Sequence, residues 1–447
     1  MKLAQSDFQQ RRDRLAEQMG PHSIAIIATR PEAMRNRDAE YKYRADSSFY
    51  YLTGFAEPEA VAVIETGADV RDYTYSLFCR ERNRDMEIWN GYRAGIEGAV
   101  ASYAADEAYP ITELDTVIVY KLLNKKQLYY RIAESVAFDA RVSEWYKQAY
   151  LGRGQVKAAV IIQLDQIVDE MRLHKSDAEI EMMQIAADIS AQAHTRAMQQ
   201  VYPGMMEYAL EAEINYVFGQ RGCVPAYTSI VGGGDNACIL HYVENDQVLK
   251  DGDLVLIDAG CEYQCYAGDI SRTFPVNGRF SPEQKALYQL VLDAQLAAID
   301  AVRVGASYKQ PHHVAVRIMV EGLLNLGIMQ GDLEQIIESE DYRQFYMHGT
   351  GHWLGMDVHD VGSYQDAEGP RDYALGMVVT VEPGLYIAPD DETVEAKWRG
   401  IGIRIEDDVC VTAQGPLVLT SKVVKSVADI EQLMAQAQQA RLKQTLA

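Results

Sequence analysis

Cysteine is scarce, with six residues in 447: Cys79, Cys223, Cys238, Cys261, Cys265 and Cys410. So few scattered thiols exclude a disulfide-stapled scaffold. Only Cys261 and Cys265 lie close together, and no second pair completes a zinc site. Reduced thiols and a cytoplasmic location are the expectation. Basic residues are also in deficit: 42 Lys and Arg against 65 Asp and Glu give a net charge of -23. That balance argues against nucleic acid and anionic membranes as partners. No apolar run approaches the roughly 20 residues of a membrane helix. The N-terminus, MKLAQSDFQQRRDRLAEQMG, is a charged amphipathic pattern without the apolar centre of a signal peptide. What remains is 48% hydrophobic and 24% charged, a globular composition. The length makes two domains the default and three the alternative.

In chain order, the first helix precedes an apolar strand, Ser23–Thr29. An Arg-rich polar segment follows, and further strands read at 59–65, 73–79, 116–120 (TVIVY) and 128–132. Polar or helical pieces between them indicate an α/β layer domain. Trp89 falls in a loop flanked by glycine. A last strand spans 156–167. Ser176 and Glu179 then form a capping-box pattern ahead of Ile180, Met183 and Ala187. The domain boundary is placed just before that helix, giving domains 1–172 and 173–447. A second helix, about 206–218, ends before Gly222. After a β region the pattern repeats: a helix opened by Ser281-Pro282 and running to about Arg303, another at 312–326, and β structure again. Helix, helix, strands, twice over, describes a pseudo-symmetric domain whose halves meet at a site. A final Ala/Gln-rich helix follows Val427.

Four segments of the second domain set polar residues in apolar, strand-like surroundings: LVLIDAGCEYQCYAGDISRTFP with Asp258 and Asp269, MHGTGHWLGMDVHD with His348, His352 and His359, MVVTVEPGLYI with Glu382, and GIGIRIEDDVCV with Arg404, Glu406 and Asp408. Any one of these carboxylates reads most simply as a turn residue, a cap or half of an ion pair. His348 and His352 are four apart, but Gly349, Gly351 and Gly355 disfavour a helix, so an extended segment is expected. His241 lies in ILHYVEND of the same domain, and the other five histidines, His22, His174, His194, His312 and His313, fit surface or packing positions. Should Asp258, Asp269, Glu382 and Glu406 converge, each pair about 4 Å apart would repel by about 4 kcal/mol at an effective dielectric near 20. Two divalent cations would cancel that charge, and an oxygen-rich set with one imidazole leans toward manganese, with cobalt or zinc as alternatives.

The order Asp, Asp, His, Glu, Glu within DAG…GDISRTFP, HGTGHWLG, VEPG and RIEDD resembles the dinuclear pita-bread metallopeptidases. These include methionine aminopeptidases, prolidases and aminopeptidases P. YRADSSFYYLTGFAEPEAV and the domain sizes are similar to bacterial aminopeptidase P in particular. The resemblance implies an α/β N-terminal domain and an α+β pita-bread catalytic domain. It also implies hydrolysis between an N-terminal residue and a penultimate proline by a metal-bridging hydroxide, and a homotetramer or homodimer. By it, Asp258 binds one metal, Asp269 and Glu406 bridge both, and His352 and Glu382 complete the second. Glu382 would shuttle the proton and His359 would stabilise the oxyanion. His241 and His348 would frame the proline pocket, and Arg404 would order carboxylates or grip the peptide. Tyr386, Tyr227, Arg153, Asp38 and Trp89 would contact substrate, the last two from a neighbouring subunit. Two departures from the pattern, Cys265 for glycine and Ser271 for threonine, stand next to ligands. The rival readings are a prolidase confined to dipeptides, a non-catalytic binding module, and a metal-free hydrolase of the creatinase kind.

Overall fold

The computed structural model describes residues 2–151 and 158–445. The chain divides into two units, Met1–Arg172 and Leu173–Ala447. Among the described residues no helix is long and apolar enough to cross a membrane.

The first unit is built on a six-stranded mixed sheet. Its order is Glu107–Pro110, Tyr73–Cys79, Val61–Thr66, Ser23–Ala28, Gln127–Tyr130, Val160–Gln163. Helix Gln5–Met19 buries Phe8, Leu15 and Met19, and its Arg11 and Arg12 donate to the carbonyls of Tyr51 and Leu52. Three expectations need correction. TVIVY is not a strand: it lies in helix Leu114–Lys121. Its β-branched run favours a strand, but Leu114, Ile118 and Leu122 recur every four residues and all enter the core, so the helical stripe wins. Trp89 is not in a loop but on helix Arg84–Asn90, which Asn83 caps by accepting from the amides of Asp85 and Met86. The last strand is shorter than expected, because helix Asp165–Leu173 begins directly after it; residues 156 and 157 lie outside the described residues. Glu107–Pro110, which no sequence pattern signals, is a half-buried edge strand closed by proline.

The second unit repeats one motif. Helices Asp177–Gln200 and Glu207–Gln220 precede a three-stranded antiparallel sheet in the order Ile230–Gly233, Leu254–Asp258, Ser271–Pro275. Helices Pro282–Asp300 and Gln310–Asn325 precede the antiparallel sheet Val378–Val381, Asp407–Thr412, Gly415–Val418 and the pair Gly384–Ile387 with Ile401–Arg404. Capping boxes at Ser176 and Ser281 start the first helix of each half, as their sequences predict. Helix Leu333–Ser339, capped by Asp332, was not anticipated. Leu210, Ile214, Leu287, Val291, Met319 and Leu323 from the helices pack with Val255, Ile257, Val379, Val381 and Ile403 from the strands. Each such side chain contributes about 1.5–3 kcal/mol by burial.

Charged groups are buried in this core beside the strands. Arg272 and Asp407, both fully buried, pair at 2.7 Å, and Lys425 reaches the same carboxylate at 2.6 Å. Lys175 and Asp360 form a second buried pair at 2.9 Å. His194 is also fully buried, and its Nε2 donates to the Ala259 carbonyl, the peptide after Asp258, at 2.9 Å.

Burial holds the His194 imidazole down at about 4 instead of 6.5. The unfolded chain therefore binds a proton that the native fold refuses. The stabilisation is complete above pH 6.5 and about 3 kcal/mol is lost as pH falls toward 4. His194→Gln keeps a donor for Ala259 but does not titrate. Urea unfolding should show a shallower acid loss in the variant than in the wild type, and equal slopes would exclude this origin.

Candidate active site

Strand geometry delivers the first carboxylate. Along Leu254–Asp258, Val255 and Ile257 enter the main core. Leu256 joins a smaller cluster with Ile230, Tyr242 and Tyr386, and Asp258 lies on that same face, two residues on. Asp258 ends the strand opposite Ile230 on one side and Ser271 on the other. Asp269 follows a hairpin and a sharp return. A Cβ at Gly260 would stand 1.6 Å from the Gly268 carbonyl oxygen, so only glycine admits this approach. The Asp269 amide donates to Asp408 Oδ2 at 3.1 Å, which fixes the backbone beneath it.

The second half supplies the remaining candidates. Ile403 and Ile405 are fully buried, and the alternating Arg404 and Glu406 face the site. The Glu406 amide donates to the Ser271 carbonyl and its Oε2 accepts from Ser271 Oγ at 2.7 Å, which ties the two halves together. Glu382 immediately follows strand Val378–Val381. Beside that strand, the segment from Thr350 to Leu354 runs extended: the amides of Glu382, Thr380 and Leu354 bond across to Thr350, His352 and Val378. The spacing of His348 and His352 is therefore not helical, as their glycines suggested.

Asp258, Asp269, His352, Glu382 and Glu406 all line one cavity of about 700 Å³, together with His241, His348, His359, Arg404 and Tyr227. Ligand atoms of Asp269, His352 and Glu406 lie within 4.8 Å of one another. His352 turns Nε2 toward Asp269 Oδ2 at 3.5 Å and Glu382 Oε1 at 3.7 Å, and its Nδ1 donates to the Trp353 carbonyl at 3.0 Å. A backbone bond that fixes one ring nitrogen and presents the other is the usual support of a metal-binding imidazole.

The electrostatics are those of crowded acid groups. Burial, reinforced by Asp269, Glu382 and Asp258, pushes Glu406 well above the ordinary carboxylate range. Burial lifts Glu382 to about 7 although His352 and Arg404 pull it down. Asp258 is raised by burial against the pull of Arg404. At Asp269 burial also raises, but hydrogen bonds to His352 and Tyr227 outweigh it and hold the group low. Burial opposes charge on His352, and Asp269 and Glu382 overcome it, raising the imidazole to about 9. Oxygen donors in excess, one imidazole, and repulsion that divalent cations would relieve make this donor set fit a two-cation centre.

Arg404 is committed on every edge. It donates to Asp258 Oδ2 at 2.7 Å, Ser271 Oγ at 2.8 Å and Tyr386 Oη at 3.0 Å. The Tyr227 hydroxyl lies 2.6 Å from Asp258 and 2.5 Å from Asp269 and can donate its proton to either. His348 donates through Nδ1 to the Gly349 carbonyl at 2.7 Å and accepts at Nε2 from Tyr386 at 2.8 Å. Tyr386 itself is buried behind His348 and Arg404 and is not part of the cavity wall. The His359 ring stands 4.3 Å from that of His352, edge to face.

Ser271, a departure from the resemblance pattern, keeps the hydroxyl that links Arg404 to Glu406. Cys265 sits with Gln264 at a hairpin tip, both at positive φ, which explains why glycine is expected there. Asp38 and Trp89 belong to the first unit, where both are exposed. Arg153 lies outside the described residues. The sequence reading passed over Thr380, whose hydroxyl accepts from the His352 amide, and the apolar wall of Ile230, Leu240, Val243 and Val358. Thr380 alternates in phase with Glu382, a signal that was available; the wall comes mainly from loops and carries none.

Residues 181–413 match metallopeptidase family M24, and residues 8–129 match the N-terminal domain of aminopeptidase P. The chain is 47% identical to the Xaa-Pro aminopeptidase of Escherichia coli, over 97% of this chain and 99% of that one. Its fold superposes on Pseudomonas aeruginosa aminopeptidase PepP with a TM-score of 0.96 at 50% identity, covering 98% and 99% of the two chains. It superposes on E. coli aminopeptidase P with the inhibitor Pro-Leu with a TM-score of 0.95 at 45% identity, covering 98% and 100%. With a pita-bread C-terminal domain behind an aminopeptidase P N-terminal domain, the chain belongs to metallopeptidase family M24, in its aminopeptidase P branch.

Proposed function

We propose that this protein is a Xaa-Pro aminopeptidase, releasing the first residue of peptides that carry proline second. The observation that supports it most is the convergence of Asp258, Asp269, His352, Glu382 and Glu406 on one cavity flanked by His241, His348 and His359. In this reading Asp258, Asp269, His352, Glu382 and Glu406 would hold two divalent cations, with Asp258 serving one, His352 and Glu382 the other, and Asp269 and Glu406 shared between them. The oxygen majority favours manganese over cobalt or zinc. Such a pair, when bound, lowers the pKa of water and polarises the scissile carbonyl.

The chain's own groups do the rest. Glu382 takes a proton at a carboxylate oxygen and returns it to the leaving nitrogen. His359 donates toward the oxygen on which charge develops. His348, with both ring nitrogens already engaged, acts with His241 as a wall of the proline pocket. Arg404, which donates to Asp258, Ser271 and Tyr386, orders the carboxylates. Tyr227 spaces Asp258 from Asp269. The scissile bond is a tertiary amide without N–H, so the site recognises shape at that nitrogen, not a donor. The proposal extends to a cytoplasmic homo-oligomer, a dimer or tetramer. Ile88, Trp89 and Tyr92 are 73%, 84% and 90% exposed on and beside one short helix, apolar area suited to a second copy of the chain. Asp38 and Trp89 would then reach a neighbour's substrate.

Ala-Pro-Ala should be cleaved faster than Ala-Pro; cleavage confined to the dipeptide would identify a prolidase instead. Glu406→Ala should abolish turnover and lower bound metal together, measured by elemental analysis of the purified protein; retained activity would refute the bridging assignment. His359→Ala should keep its metal and its fold but lower kcat by about 10²-fold, the usual size of a lost charge-stabilising donor. An unchanged kcat would remove His359 from the chemistry.

A further inference from the structure

Glu207 is a buried acid group that none of this chemistry uses. It is the first residue of helix Glu207–Gln220, where a carboxylate is favoured by the helix dipole, and it is fully buried. Both oxygens are saturated. Oε1 accepts from the Gly233 amide at 2.7 Å and Asn236 Nδ2 at 3.1 Å. Oε2 accepts from Tyr242 Oη at 2.8 Å and the Gln247 amide at 2.9 Å. All four donors come from residues 233–247, the connection that leaves strand Ile230–Gly233 and carries Leu240, His241 and Val243 into the cavity wall. Beyond Cys238 this connection has no helix or strand of its own, and Ile239 and Val243 are half exposed. Between two residues of the wall, Tyr242 turns inward and is buried beside Ile230 and Leu256.

We propose that Glu207 is a positioning residue for substrate: its carboxylate clamps residues 233–247 and thereby sets His241 in the cavity. The inference rests on the aminopeptidase reading, in which His241 frames the proline pocket. A loop without its own ladder takes its shape from whatever satisfies its polar groups. Here one side chain engages it at its start, middle and end. An amide in the same place would set its N–H against a backbone amide, that of Gly233 or of Gln247, which can only donate.

The test is Glu207→Gln in the full chain, alone and with His241→Ala. Amides in 233–247 should exchange about tenfold faster or more, with bound metal unchanged. The kcat/KM for Ala-Pro-Ala should fall about tenfold, mainly through KM. In the His241→Ala background the same substitution should cost less than about twofold. Unchanged exchange, or an equal loss with and without His241, would overturn the proposal. If Glu207→Gln does not fold, Tyr242→Phe removes one donor from the same carboxylate, and faster or unchanged exchange decides in the same way. A wild-type protein inactive on Ala-Pro-Ala would defeat the aminopeptidase reading, while exchange still decides the clamp.

Discussion

Four carboxylates share one cavity, and their repulsion is the constraint around which the second unit is arranged. Each pair at about 4 Å costs about 4 kcal/mol at an effective dielectric near 20, and a marginally stable fold cannot carry several such terms unrelieved. Relief starts with the protein's own groups. Arg404 holds Asp258, Ser271 donates to Glu406, Tyr227 stands between Asp258 and Asp269, and His352 faces Asp269 and Glu382. That still leaves four acids against two basic groups. Glu406 and Asp408 consequently sit well above their ordinary range, each chiefly through burial and then through neighbouring acid charge. An arrangement this costly is retained where cations are to be bound.

The layer behind the cavity follows from the same constraint. The strand that continues from Glu406 begins with Asp407, which turns away from the site and meets Arg272 and Lys425. Burial works against its charge, yet the two cations hold its carboxyl at about 2. Arg272 also donates to the Glu406 carbonyl at 2.6 Å, so one guanidinium fixes both the backbone of Glu406 and the charge of the next residue. Glu406 and Asp407 thus lie on opposite faces, one acid in the cavity and one neutralised behind it. Removing either partner of the buried pair would strand a charge, a loss of about 3–5 kcal/mol.

Much of this was legible in sequence because the relevant patterns are periodic. Capping boxes at Ser176 and Ser281, the alternation through Ile403, Arg404, Ile405 and Glu406, and acids at the ends of apolar runs are local signals, and the backbone follows them. TVIVY was misread because two local signals conflict. The β-branched run is visible within five residues, whereas the stripe that overrides it extends to Leu122. The hydrogen-bond commitments of His348 and Arg404 had no sequence signature, since their partners Tyr386, Ser271 and Asp258 come from other strands. Neither did the burial of Tyr386, which is set by residues that cover it from far along the chain.

The split between strand-borne and loop-borne groups carries a functional argument. Asp258 and Glu382 stand at strand ends, Glu406 joins two strands, and His352 lies on an extended segment bonded to a strand. A metal centre built on these groups would tolerate errors of only about 0.2 Å, which suits groups carried on the most rigid parts of the fold. His241 and His359 lie instead in connections and are exposed at the cavity. Peptides that share a second-position proline differ in their first residue, and groups that meet them must adjust. In the proposed reading that adjustment has to be bounded, or the histidines would lose the reacting bond. Buried acids supply that bound: Glu207 engages the connection that carries His241, and Asp360, the residue after His359, is anchored by Lys175. Acid groups therefore stand in two settings in this fold, crowded inside the cavity and, outside it, bonded to the loops around it.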